Sequence, residues 1–131
     1  MRKKNTGSCL CGGVAYEVEG TLREVVACHC EQCRKTSGHH VAATQAPIAA
    51  VTITADETLT WYRSSDEAER GFCARCGGNV FWCQIGSDRI SIMAGTFDDT
   101  SGLTLGRHIF VKDKADYVTL PVDAPTFDEA G

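Results

Sequence analysis

The chain has 131 residues, eight of them cysteine, and a formal net charge of −4 with histidine neutral. Its length fits one modest core, and 43% apolar with 23% charged residues is ordinary for a globular chain. The acidic balance argues against a nucleic-acid binder, and no apolar run approaches the ~20 residues of a membrane helix.

The start MRKKNTGSC is basic but lacks the apolar stretch of a secretion signal. The expectation is a cytoplasmic protein with a short charged tail. In that compartment thiols stay reduced, and clustered cysteines bind metal rather than pair as disulfides.

Strand signals dominate from there. Val14–Val18 alternates apolar and polar residues, as a half-buried strand does. Val25–Cys28 is a short run leading into CHCEQC. The segment CEQCRKTSG predicts one short turn of helix ended by Gly38. Val41–Ala46, Val51–Thr54 and Thr58–Tyr62 are short and rich in β-branched or aromatic residues, and so read as strands. Asn79–Ile85, Arg89–Gly95 and Arg107–Val111 follow, with turn chemistry such as GSD and FDDTSG between them. The tail PVDAPTFDEAG carries two prolines and several acids, so its last residues are expected to fray. The expected organisation is one domain, with a core over residues 7–121 and tails at 1–6 and 122–131. Its class is mainly β, with small sheets, little helix and metal-anchored loops.

Seven of the cysteines fall into three clusters. Cys9 and Cys11 form CLCGG, Cys28, Cys30 and Cys33 form CHCEQC, and Cys73 and Cys76 form CARCGG. The two pairs, each followed by two glycines, read as tight turns presenting two thiolates apiece. Together they make one closed four-cysteine site, the usual form of structural zinc. Such a site cross-links distant segments, so its binding free energy appears as folding free energy.

Cys28, Cys30 and Cys33 are then left with three thiols, one short of a tetrahedron. Catalytic zinc keeps three protein ligands and one exchangeable position. Arg34 and Lys35 directly follow and would offset negative charge there. Alternatives stay open at this point. His29, His39, His40 or Cys83 can supply a fourth ligand, Cys9 and Cys11 can join the middle cluster, and an iron–sulfur cluster is a further option. Cys83, in VFWCQI, reads more simply as a small core hydrophobe.

The segments GSCLCGGVAYEV, CHCEQCRKTSG, RGFCARCGGNVF and HIFVKDK, in that order, resemble the glutathione-dependent formaldehyde-activating enzyme family, which includes the domain of centromere protein V. The resemblance runs from about Gly7 to Pro121. His39-His40 and Tyr117 depart from the residues many relatives carry. The resemblance implies several coiled antiparallel β-sheets around two zinc ions per chain. Cys9, Cys11, Cys73 and Cys76 would bind a structural zinc, and Cys28, Cys30 and Cys33 a catalytic one. It implies a carbon–sulfur lyase that joins and separates formaldehyde and glutathione through S-(hydroxymethyl)glutathione. The expected partner is a small thiol such as glutathione, or its aldehyde adduct, with no nucleic acid and no membrane. The competing reading is a non-catalytic zinc module for a protein or nucleic-acid partner. Trp61, Tyr62, Phe81 and Trp82 are candidates for the walls of a pocket, and Asp98 for an acid–base group, with core packing and turn formation as their plainer roles.

Overall fold

The computed structural model describes residues 4–130. In chain order the strands are β1 (Lys4–Ser8), β2 (Ala15–Glu19), β3 (Val25–Cys28), β4 (Val41–Pro47), β5 (Val51–Ala55), β6 (Leu59–Arg63), β7 (Ala68–Cys73), β8 (Asn79–Gln84), β9 (Arg89–Met93) and β10 (Leu105–Ile109). The α-helix α1 (Glu31–Ser37) lies between β3 and β4. The expected mainly β class, with one short helix ended by Gly38, is borne out.

The strands form two sheets. One has the order β1-β2-β5, the other β10-β3-β4-β9-β8-β7-β6. Every neighbouring pair is antiparallel except β10 and β3, which run parallel. The turn from β1 to β2 therefore carries Cys9 and Cys11 back on themselves, with Ser8 opposite Ala15. The turn from β7 to β8 does the same for Cys76.

Period-2 alternation on β2 points Tyr16 and Val18 inward, and Val14 just before it is buried too. They pack with Val80, Phe81, Ile90, Ile92 and Phe97 into the larger core, which also contains Cys9 and Cys73. Tyr16 meets Phe81 and Phe97 edge-on, both with ring centroids 5.5 Å apart. Its hydroxyl pairs with Thr96 Oγ1 at 2.7 Å, so the buried polar end is satisfied. Burying one such aromatic stabilises by about 2–3 kcal/mol. A second, smaller cluster holds Cys33, Val41 and Ala43, with Cys28, Cys30 and Met93 against them.

Two strands escape the hydrophobic pattern. β1, KNTGS, is an edge strand of polar and small residues. β7, AERGFC, has no β-branched residue, yet pairs on both sides with β6 and β8. The C-terminal segment also differs from the expected fraying. Phe127 N–H donates to His108 O at 2.9 Å, and Phe110 N–H donates to Glu129 O at 2.9 Å. The segment covers the free edge of β10, whose backbone groups need partners. Phe110, held by that contact, is the one described non-glycine residue with positive φ, at 53°. No described helix is long and apolar enough to cross a membrane.

Candidate metal centres and cleft

The first centre joins two turns. Cys9 and Cys11 follow β1, while Cys73 ends β7 and Cys76 follows it. All four sulfurs lie within 4.8 Å of one another. Cys9 Sγ is 3.7 Å from Cys11 Sγ, and Cys11 Sγ is 3.6 Å from Cys73 Sγ. A tetrahedron with ~2.3 Å zinc–sulfur bonds has edges of ~3.8 Å, so the spacing fits such an ion. The surroundings suit thiolates. Val14 N–H reaches Cys9 Sγ, and the Arg75 and Cys76 N–H groups reach Cys73 Sγ, all at 3.3 Å. The Thr58 hydroxyl lies 3.0 Å from Cys73 Sγ. That hydroxyl foremost, with the two N–H groups, brings the Cys73 thiol down to about 5. Gly77, with φ of 78°, takes the left-handed conformation in this turn, and its own N–H donates to Cys73 O at 2.8 Å.

The second centre is local. Cys28 ends β3, Cys30 caps the N-terminus of α1, and Cys33 sits in its first turn, buried. The Cys33 N–H donates to Cys30 Sγ at 3.4 Å, so the helix cap itself sets two of the three sulfurs. The three sulfurs also lie within 4.8 Å of one another, and among the described residues no further cysteine, histidine or carboxylate joins them. Hydrogen bonds from Cys28 and then Cys33 hold the Cys30 thiol well below its ordinary value, while sharing with Cys30 pushes Cys28 up. A donor set of three thiols fits a thiophilic divalent ion.

The histidines named as possible fourth ligands go elsewhere. His29 Nε2 and His108 Nδ1 share a hydrogen bond of 2.9 Å, and both rings are buried. The His40 ring lies tilted against those of His29 and His39, with centroids 4.8 Å and 4.2 Å away, and His39 Nδ1 meets Tyr117 OH at 2.9 Å. Burial, then the neighbouring His40 and His108, lowers His29 to about 4. None of the four histidines borders the cleft described below. Cys83 belongs to neither thiol group; it packs on the larger core, and burial pushes it up to about 11.

The three-thiol centre lies in a cleft of about 720 Å³. Val26, Val41 and Ala43 give it an apolar lining beside Cys28, Cys30 and Cys33. Of the four aromatics proposed as walls, Trp82 borders it. Phe81 is core, Trp61 stacks on Phe81 at 6.0 Å, and Tyr62 is 61% exposed. Asp98 accepts from Thr6 Oγ1 at 2.7 Å and so ties β1 to the turn after β9.

The cation beside the trio is also not the expected one. Lys35 is exposed and pairs with Glu31 at 3.9 Å. The buried cation is Arg70 of β7, whose Nη1 and Nη2 each lie 3.8 Å from Cys33 Sγ. Its sequence signal is faint: Ala68 and Arg70 share the inward face of a strand that composition does not announce. Arg23, Gln45 and Ser91 also line the cleft. Gln45 sits four residues along β4 from Val41, the partner of Cys28, or about 13 Å away.

The family model described as glutathione-dependent formaldehyde-activating enzyme matches residues 4–113. A protein of Schizosaccharomyces pombe, named an uncharacterized lyase, is 29% identical over 114 residues, covering 84% of this chain and 80% of that one. A crystal structure of a Rhodobacter sphaeroides protein shares the fold, with a TM-score of 0.60 at 20% identity, over 93% of this chain and 98% of that one.

Proposed function

The chain belongs to the glutathione-dependent formaldehyde-activating enzyme family, and from that premise we propose that it is a zinc-dependent carbon–sulfur lyase for the adduct of a small thiol and an aldehyde. The observation that carries the proposal is the three-thiol centre, which has no fourth protein ligand among the described residues and lies in a cleft of substrate size. The four-thiol centre holds a structural zinc in this reading, and the trio a catalytic one.

The reaction is RS–CH2OH to RSH and CH2O. The C–S bond breaks with its electron pair going to sulfur, the hydroxyl loses its proton, and the thiolate is reprotonated. When bound, a divalent ion supplies Lewis acidity that stabilises negative charge developing on sulfur or oxygen. The chain's own residues do the rest. The trio sets where the sulfur end of the substrate must come. Val26, Val41 and Ala43 provide a dry lining along which a short chain lies. Arg23 lines the cleft beside Gln45, with Arg89 donating to the Gln45 side chain and Arg107 paired with Glu24 nearby. A small thiol that also carries a carboxylate, such as glutathione, suits a cleft lined by the three thiols and by Arg23.

The test is the exchange rate between glutathione, formaldehyde and their adduct, followed by NMR with and without the purified protein. The protein is expected to speed the exchange. Cys30→Ser should abolish the acceleration and remove one bound ion while leaving the fold intact. A wild-type protein carrying two ions that speeds exchange for no small thiol sinks the proposal.

A further inference from the structure

We propose that Arg70 is a positioning residue, the built-in counter-charge of the three-thiol centre, and that it sets how much negative charge the centre accepts. This role rests on the reading that the trio holds a divalent ion.

Burying a guanidinium is costly unless an anion faces it. Arg70 is only 6% exposed. Among the described residues it forms no ion pair with a carboxylate. Its two terminal nitrogens are directed at Cys33 Sγ, both at 3.8 Å, and Nη2 is 3.5 Å from Gln32 Oε1. Its Nε is buried with no partner. Apart from the Gln32 amide oxygen, what its two terminal nitrogens face is one sulfur, and the buried charge is compensated when that sulfur is a thiolate.

The charge count gives the consequence. Three thiolates around a divalent ion carry −1, and Arg70 brings the assembly to zero. A substrate thiolate arriving at the cleft then meets a neutral centre instead of an anionic one. Lys35 pairs with Glu31 in solvent, and Arg34 meets the trio through its backbone N–H, which donates to Cys30 O at 2.9 Å, whereas Arg70 brings its guanidinium to the sulfur. The planar fork of arginine suits a buried, two-nitrogen approach to one sulfur better than a hydrated ammonium does.

The experiment compares wild type, Arg70→Met and Arg70→Lys as full chains. Zinc affinity is measured by competition with a chromophoric chelator, and thiol affinity by titrating 2-mercaptoethanol into the cobalt-loaded protein and following the visible bands. In Arg70→Met the weaker ion should be lost 10–100-fold more readily and thiol binding should weaken, while the tighter ion is unmoved. Arg70→Lys should recover part of both, because it keeps the charge. An Arg70→Met variant with wild-type affinity for both ions and for thiol overturns the role. So does a variant that weakens both ions together with a lowered melting point that Arg70→Lys shares, since that is a packing defect. A wild type that binds one ion overturns the lyase reading and this role together. A wild type that binds two, with Arg70→Met unmoved, overturns Arg70 alone.

Discussion

The two thiol centres use the same residue type by opposite routes. The four-thiol centre joins turns whose sulfurs are separated by 62 residues in the chain. It sits on the larger core, and Cys9 and Cys73 are part of that core. The three-thiol centre is drawn from six consecutive residues and rests on a small apolar cluster. Closing a long loop constrains the unfolded chain far more than closing a short one. In the proposed reading the first centre therefore holds the fold, while the second faces the cleft with three protein thiols.

Removing one ligand from each centre tests that division most severely. Cys73→Ser should cost more than about 4 kcal/mol, or roughly 15 °C in melting temperature for a chain of this size. Cys73 is fully buried, and its loss also strands the Thr58 hydroxyl and two backbone N–H groups aimed at its sulfur. Cys30→Ser should move the melting point by less than half as much while removing the activity. Thermal unfolding followed by circular dichroism, with a metal count on each variant, makes the comparison. Equal losses of stability would erase the distinction between the centres.

Acid should act next, and from the side of the smaller centre. His29 lies between Cys28 and Cys30, and its folded value of about 4 is below the ordinary 6.5. The unfolded chain therefore binds the proton more readily. The contribution is present above pH 6.5 and is lost as pH falls toward 4, to the extent of about 1–3 kcal/mol. Urea unfolding of wild type and His29→Gln between pH 7 and 5 measures it. The slope of stability against pH should flatten in the variant. An unchanged slope would place the acid sensitivity in the thiol centres instead.

The cysteine grouping was legible because metal ligation imposes short spacings that composition cannot hide. Strands with β-branched runs, such as Val25–Cys28, were legible for the same reason that they pack. β7 was not, because AERGFC owes its place to β6 and β8 on either side rather than to its own pattern. Arg70 was lost with it: a cation on an unread strand has no readable direction. The histidines looked like spare ligands because sequence proximity says nothing about which face a side chain takes. Only the packing of His29 against His108, 79 residues away, sends that ring away from the thiols. The terminal segment was misread because its partner, the open edge of β10, is a property of the assembled sheet.

The smallest effect gives the sharpest contrast. Gly38 ends α1 and Gly77 lies in the Cys73–Cys76 turn, with φ of 83° and 78°. A Cβ added at either meets nothing within 4 Å, so alanine costs only the left-handed backbone penalty at both. That penalty is about 1 kcal/mol. Gly38 N–H donates to Arg34 O at 2.8 Å, and Ser37 Oγ donates to Cys33 O at 2.7 Å, so strain at Gly38 is passed to the helix that holds Cys33. Gly77 N–H donates to Cys73 O at 2.8 Å, so strain there falls on the buried centre. Two substitutions of equal local cost should then read out differently. Gly77→Ala should lower the melting point by about 2–4 °C. Gly38→Ala should spare most of that and instead weaken the more labile ion several-fold in a chelator competition. If both variants shift both measurements alike, the load is shared, and the division between a centre for the fold and a centre for the chemistry does not hold.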